Sequence, residues 1–203
     1  FSVINLLKNS AGTPNDSAGR YSVAKASNSN FNTAGSTAKD ISAPGTDILS
    51  TSKTGSYVSK NGTSMASPTV AGVAAMLFAY EPSLTPQNAQ TLLEQTATDL
   101  GDTGWDSETG YGEVDAYHAL QVLSARIDME SVPFAGSATL AIACDDGSSL
   151  PAFEWSWTSS NPNVLAVDEN TGTLTAKGRG SATITATHKK VTTEVISKEV
   201  QVG

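Results

Sequence analysis

Apolar and polar positions fall into three textures along the chain. Over residues 1–60, short apolar patches are separated by Gly, Pro, Asn and Ser: Ser2-Val3-Ile4-Asn5-Leu6-Leu7, Tyr21-Ser22-Val23-Ala24 and Asp40-Ile41-Ser42-Ala43-Pro44-Gly45. Patches of that length bounded by turn formers predict brief strands with long polar connections. Residues 64–80 are small or apolar at every phase, which predicts a helix buried all round rather than one with a wet face. Pro68 falls within its first two turns, where a missing N–H costs least. Thr85 followed by Pro86 marks a second helix, with Ala89, Leu92, Leu93 and Ala97 on one face. A third helix is expected to begin near Asp115, an N-cap candidate, and to run through Ala116, Ala119, Leu120 and Leu123.

From Ala125 onward the period changes to two, most plainly in Ser181-Ala182-Thr183-Ile184-Thr185-Ala186-Thr187. Turn signals stand at Asp146-Gly147, Asn161-Pro162 and Thr171-Gly172. This is the pattern of a small antiparallel sandwich of about 80 residues. The chain is therefore expected to divide into residues 1–124 and 125–203.

Composition narrows the function classes. The 203 residues carry 12 Lys+Arg against 20 Asp+Glu, a formal charge of −8. That balance argues against nucleic-acid binding, which needs clustered Lys and Arg to neutralise phosphates. Only 16% of residues are charged and 38% are hydrophobic, so the polarity comes from Ser, Thr, Asn and Gly, unlike a highly charged disordered tail. Cys144 is the only cysteine, which excludes an intramolecular disulfide and a cysteine-rich zinc site. No apolar run approaches the ~18 residues of a membrane span. The chain opens on Phe1 with no signal-peptide pattern behind it, and is read as a piece of a longer protein.

The chemistry is concentrated in Asn61-Gly62-Thr63-Ser64-Met65-Ala66-Ser67-Pro68, followed by Val70-Ala71-Gly72-Val73-Ala74-Ala75. This string puts one hydroxyl at the first turn of a helix, reached through a glycine loop. Unpaired N–H groups and the positive end of the helix dipole favour developing negative charge there. A serine so placed can attack a carbonyl while its own N–H helps hold the oxyanion; the plainer role for Ser64 is that of an N-cap.

The whole string resembles the nucleophile motif of the subtilisin-like serine proteases, the subtilases. Ala43-Pro44-Gly45 is similar to the family's turn ahead of the substrate-pocket strand, and Gly110-Tyr111-Gly112-Glu113-Val114-Asp115-Ala116 to its closing motif; Thr69 replaces a frequent His. The resemblance covers about residues 1–124 and implies an α/β fold, the C-terminal part of a parallel sheet with helices. It also implies that Ser64 is the nucleophile. The family's order of Asp, then His, then Ser requires both partners upstream of Ser64, and the 63 residues before it contain no His. His118 and His188 do not fall where the family places its base. Asp16, Asp40 and Asp47 lack the family's Asp-Thr/Ser-Gly context and read as loop acids. Asn9-Ser10-Ala11-Gly12 is similar to the family's Gly-Asn-Ser-Gly segment, with Lys8 in place of the glycine and Ala11 inserted, which would make Asn9 the oxyanion amide. An Asn before a turn is also ordinary.

Residues 125–203 resemble the bacterial immunoglobulin-like domains of group 2, through the stretch from Trp157 to Asp168, Gly172-Thr173-Leu174-Thr175-Ala176, and Gly178-Arg179-Gly180-Ser181-Ala182-Thr183-Ile184. Trp157, Val164, Val167, Leu174, Ala182 and Ile184 are expected to fill the core. Trp155 and Trp157 should point the same way, into the core or towards a carbohydrate. Cys144 reads as a small buried hydrophobe. Such modules act as spacers or bind surface partners, which implies an extracellular or cell-surface setting.

Two functions follow. In the first, the chain is part of a secreted serine endopeptidase acting on protein or peptide substrates through Ser64, without a cofactor for catalysis. Alone it is expected to be inactive, because Ser64 lacks its base. In the second, it is a non-catalytic surface binding or scaffold protein carrying a protease remnant, with a cell-wall or surface partner. Structural calcium is common in the family, but no acidic loop here has convincing ligand spacing.

Overall fold

The computed structural model describes residues 2–8, 23–32 and 40–203, and the chain divides into two compact units, residues 1–116 and 117–203. In the first unit, β1 (Val3–Lys8) lies between β2 (Val23–Lys25), to which it is antiparallel, and β3 (Ile41–Pro44), to which it is parallel. The register pairs Val3 with Ile41 and Asn5 with Ala43. Val3, Ile4, Asn5 and Leu6 are all buried, so this strand is covered on both faces, as strands inside α/β sheets are. A hairpin of β4 (Ile48–Thr51) and β5 (Tyr57–Lys60) follows.

Helix α1 (Thr63–Tyr80) departs from the expectation of burial all round. Only Ala66, Val70, Val73 and Leu77 are buried, a single stripe at helical spacing that packs on β1 and β3. Ala71, Gly72, Ala75 and Ala79 are exposed, and Met76 and Tyr80 are each 45% exposed. The sequence supplies an apolar surface on every side, but within the first unit only one side meets a sheet.

Helix α2 (Pro86–Thr96) starts as local chemistry predicts: Thr85 Oγ1 accepts the Asn88 N–H at 3.2 Å, and Pro86 occupies the first helical position. Ala89, Leu92 and Leu93 are buried. Ala97 is the half-buried C-cap, and the fourth inward position belongs to Thr96, whose Oγ1 donates to the Leu92 carbonyl at 2.7 Å. The segment 109–114 closes the unit. Ser42 N–H donates to Gly112 O at 2.8 Å, and Val114 N–H to Ser42 O at 2.9 Å. A Cβ on Gly112, at φ 108°, would stand 2.1 Å from Thr98 O, so only glycine fits there.

Helix α3 (Ala116–Leu123) buries Ala119 and Val122, while Ala116, Leu120 and Leu123 are half-buried. In the second unit it is tied to the β region: Gln121 Nε2 donates to Ser148 Oγ at 2.7 Å, and Cys144, fully buried, lies 3.6 Å from Gln121 O.

The β region contains β6 (Arg126–Ile127), β7 (Ser131–Val132), β8 (Ser137–Thr139), β9 (Ile142–Ala143), β10 (Ser149–Leu150), β11 (Trp155–Ser159), β12 (Leu165–Val167), β13 (Thr173–Ala176), β14 (Gly180–His188) and β15 (Val195–Val202). They form sheets in the orders β11-β14-β15-β7, β12-β13-β8 and β10-β9-β6. The sandwich is not wholly antiparallel, since β15 pairs β7 in parallel, Gln201 with Ser131 and Val202 with Val132. Trp155 and Trp157 are both core residues, 0% and 1% exposed, and neither is open to a carbohydrate. Leu174, Ala182 and Ile184 are buried as expected, but Val164 and Val167 are half-buried, and Leu165 takes the inward position between them. No helix among the described residues is long and apolar enough to cross a membrane.

Candidate functional site

The start of α1 is built from two glycine contacts. Gly62 donates its N–H to Gly45 O at 2.8 Å, which ties the end of the hairpin to the turn after β3. A Cβ on Gly45 would stand 2.5 Å from Asn5 Oδ1, 2.7 Å from Gly62 O and 3.0 Å from Ala66 Cβ, so the glycine is what allows the strand turn and the helix start to touch. Gly62 is needed for a different reason: its φ of 140° is closed to L side chains, although the space around it is open. Asp47 N–H donates to Asn61 Oδ1 at 2.6 Å and holds the other side of the loop.

Ser64 is the second residue of α1 and is exposed, whereas Ala66, two positions on, is fully buried. The helix is thus anchored immediately below the hydroxyl. Gly62, as N-cap, offers no side-chain acceptor to the first-turn N–H groups, and the first turn holds no acidic residue. Helix α2, by contrast, satisfies an orphan donor with Thr85. The start of α1 therefore keeps donor capacity and positive dipole, which favour a negative charge placed beside it.

The remaining sequence-predicted groups are dispersed. Asn9 and Asp16 lie outside the described residues; β1 ends at Lys8, the residue before Asn9. Asp40 Oδ2 accepts the Ser2 N–H at 3.0 Å, and Asp47 sits in a turn with φ 57°. His118, half-buried, and His188, buried, belong to the second unit, whereas Ser64 belongs to the first. One residue that the motif reading passed over is Asn5, fully buried, whose Oδ1 accepts from Thr46 Oγ1 at 3.2 Å and whose N–H donates to Ser29 Oγ at 2.9 Å. The signal for it is a lone amide inside an apolar strand patch, which must find partners when buried.

Three carboxylates among the described residues of the first unit are perturbed: hydrogen bonds from the Ser83 hydroxyl and N–H lower Glu81, and the other two are raised. Burial pushes Glu94 up, with a further push from Asp40 against the hydrogen bond donated by Gln90 Nε2 at 2.7 Å. Burial also raises Glu113, and Asp115 adds to it. Among the described residues no group of three or more His, Cys, Asp or Glu is arranged to hold a metal ion.

The "Subtilase family" model matches residues 9–112, and the "Intimin, immunoglobulin-like domain" model matches residues 153–189. An extracellular protease of Xanthomonas campestris is 52% identical over 85 residues, covering 38% of this chain and 14% of that protein. Fervidolysin of Fervidobacterium pennivorans is 39% identical over 99 residues, 40% of this chain and 14% of that one. Subtilisin DY of Bacillus licheniformis is 45% identical over 64 residues, 32% and 23%. The chain thus spans less than a quarter of the length of each of these relatives. Among solved structures, a psychrophilic subtilisin-like protease from an Antarctic Pseudoalteromonas is 42% identical over 33% of this chain and 15% of its own, at TM-score 0.32. The CspB protease of Clostridium perfringens is 31% identical over 42% and 20%, at TM-score 0.39. With the family model matching half of the sequence, and the serine motif at an exposed helix start within that half, the chain belongs to the subtilase family.

Proposed function

We propose that this chain is part of an extracellular serine endopeptidase in which Ser64 is the nucleophile. The observation that carries the reading is the exposed Ser64 hydroxyl on the first turn of α1, where glycine caps the helix and leaves its donors available. A peptide carbonyl would be attacked by Ser64 Oγ as an imidazole takes the hydroxyl proton. The negative charge on the former carbonyl oxygen would be held by the Ser64 N–H and by the amide of Asn9. The proton then passes to the leaving amine, and water hydrolyses the acyl ester to restore the serine. Serine chemistry of this kind needs no metal.

The imidazole and the carboxylate that orients it would come from outside residues 1–203, since the family's order puts both before Ser64 and no His precedes it. Residues 1–203 alone are accordingly inactive. Residues 125–203 serve as an immunoglobulin-like module, a spacer or a site for a cell-wall or surface partner. Extracellular action is supported by the similarity to the extracellular protease of Xanthomonas campestris.

The test is peptide hydrolysis by the chain joined to the protein segment that supplies Asp and His. Activity that disappears in Ser64→Ala, by 10³-fold or more, supports the reading. Activity that survives Ser64→Ala overturns it, and a joined protein that folds yet cleaves nothing points instead to the scaffold role.

A further inference from the structure

The second unit contains a buried ionisable group with no part in the serine chemistry. His188 ends β14, is 2% exposed, and stands directly opposite Trp155 in the β11–β14 register. Its ring meets the Trp155 indole edge-on, with centroids 4.9 Å apart and planes at 90°. Its Nδ1 accepts two backbone N–H groups, from Lys190 at 3.2 Å and Val191 at 2.9 Å. An imidazole nitrogen that accepts carries no proton, so the ring is held as the neutral tautomer with its hydrogen on Nε2. That Nε2 is buried without a partner, as is Trp155 Nε1.

These contacts close the end of the β14–β15 hairpin. His188 N–H donates to Glu194 O at 3.0 Å, Glu194 N–H to Val191 O at 2.9 Å, and Lys189 N–H to Glu154 O at 2.8 Å. Val191 is fully buried, so the Nδ1 bonds pin the loop residue that docks in the core. Protonation of Nδ1 would set a third N–H against two existing donors, and both bonds would have to break. The charges acting on the ring are those of His118, from α3, and Lys190, from the loop. Both oppose a cation. The acidic residues next to the loop's backbone contacts are Glu154 and Glu194, which engage it through their carbonyls; Glu154 Oε2 is itself buried without a hydrogen-bond partner.

We infer that His188 is an acid-sensitive latch: neutral, it holds residues 188–194 closed over the sandwich core, and protonated, it releases them. Its burial, with the positive charges of His118 and Lys190, pushes the ring down to about 4 from the ordinary value near 6.5. A depressed histidine makes the unfolded state the better proton acceptor between those values, so stability is lost as pH falls through that window. By linkage this one site raises the unfolding constant of the second unit about thirtyfold between pH 7.5 and pH 5.

The chain has two histidines, so an NMR titration of their Cε1–H signals in residues 1–203, assigned with His118→Gln, reads His188 directly. Amide exchange at Lys190 and Val191 is followed in parallel. The expected result is an imidazole that stays neutral until about pH 4, with both amides losing protection as it titrates. Asn at 188 keeps an acceptor near the Nδ1 position but cannot be protonated. His188→Asn should therefore remove the thirtyfold acid term, whatever stability it loses at pH 7.5. Should that variant not fold, Lys190→Gln, on an exposed loop residue, must raise the His188 midpoint. An imidazole that titrates near 6.5 without change in the Val191 amide, or His188→Asn with undiminished acid sensitivity, overturns the latch.

Discussion

Helix α1 and strand β14 both draw on Ala, Gly, Ser and Thr, yet they are covered to very different extents. β14 alternates, and each inward residue from Ala182 to His188 is buried by sheets within its own unit. α1 is apolar around its whole circumference but meets a sheet along one stripe. The difference is a matter of period. A strand of period two asks for one covered face, whereas a helix without a polar face asks for packing on all sides. Helix α1 therefore leaves apolar surface in water and β14 does not.

The largest expected consequence is a split in stability. Calorimetry of residues 1–203 at pH 7.5 should show two transitions, with residues 1–116 melting first; a single cooperative transition would erase the contrast. Trp157→Ala should then lower only the upper transition, by about 3–5 kcal/mol. The Trp157 ring is 1% exposed, donates from Nε1 to Ala152 O at 3.0 Å, and leaves no room for a Cβ on Gly172, which would lie 2.9 Å from it.

Acid should move the two transitions towards each other. Glu94 and Glu113 have folded-state values raised by burial, so the folded first unit binds more protons than its unfolded chain just above pH 4.5. Its stability rises as pH falls through that window, while the second unit loses stability through His188. Differential scanning at pH 7.5 and 5 should show the gap narrowing, and a gap that widens would contradict the sign of at least one of the two assignments.

Smaller effects test single contacts of the first unit. Thr85→Ala removes the acceptor for Asn88 N–H and should cost about 1 kcal/mol in the lower transition. Met76→Ser on the uncovered face should change it by no more than about 0.5 kcal/mol, where Leu77→Ala on the buried stripe costs about 2–5 kcal/mol. Equal costs at the two positions would mean that the helix is covered on both sides in solution.

What was legible in the sequence is what local chemistry decides. Thr85-Pro86 marks its helix because capping and fixed φ act within one turn, and the Ser181–Thr187 alternation marks a strand because the period is local. The helix start at Ser64 was legible through its motif. The covered stripe of α1 was not, since an all-round apolar surface carries no phase to indicate which side finds a sheet. Nor was the inward Leu165 between Val164 and Val167, where four successive apolar residues leave the phase open. The parallel pairing of Val132 with Val202 joins residues distant in sequence, and Asn5 found its partners, Ser29 and Thr46, only in the tertiary structure.

The central claim is that Ser64 is a competent nucleophile without its base in this chain. The direct measurement is mass spectrometry of the Ser64 peptide after exposure to a fluorophosphonate, for residues 1–203 alone and for the chain joined to the Asp- and His-bearing segment. The account predicts a Ser64 adduct that forms rapidly in the joined protein, is absent in Ser64→Ala, and is at least 10³-fold slower in residues 1–203 alone. Rapid labelling of Ser64 in residues 1–203, or labelling of another serine in the joined protein, would contradict it.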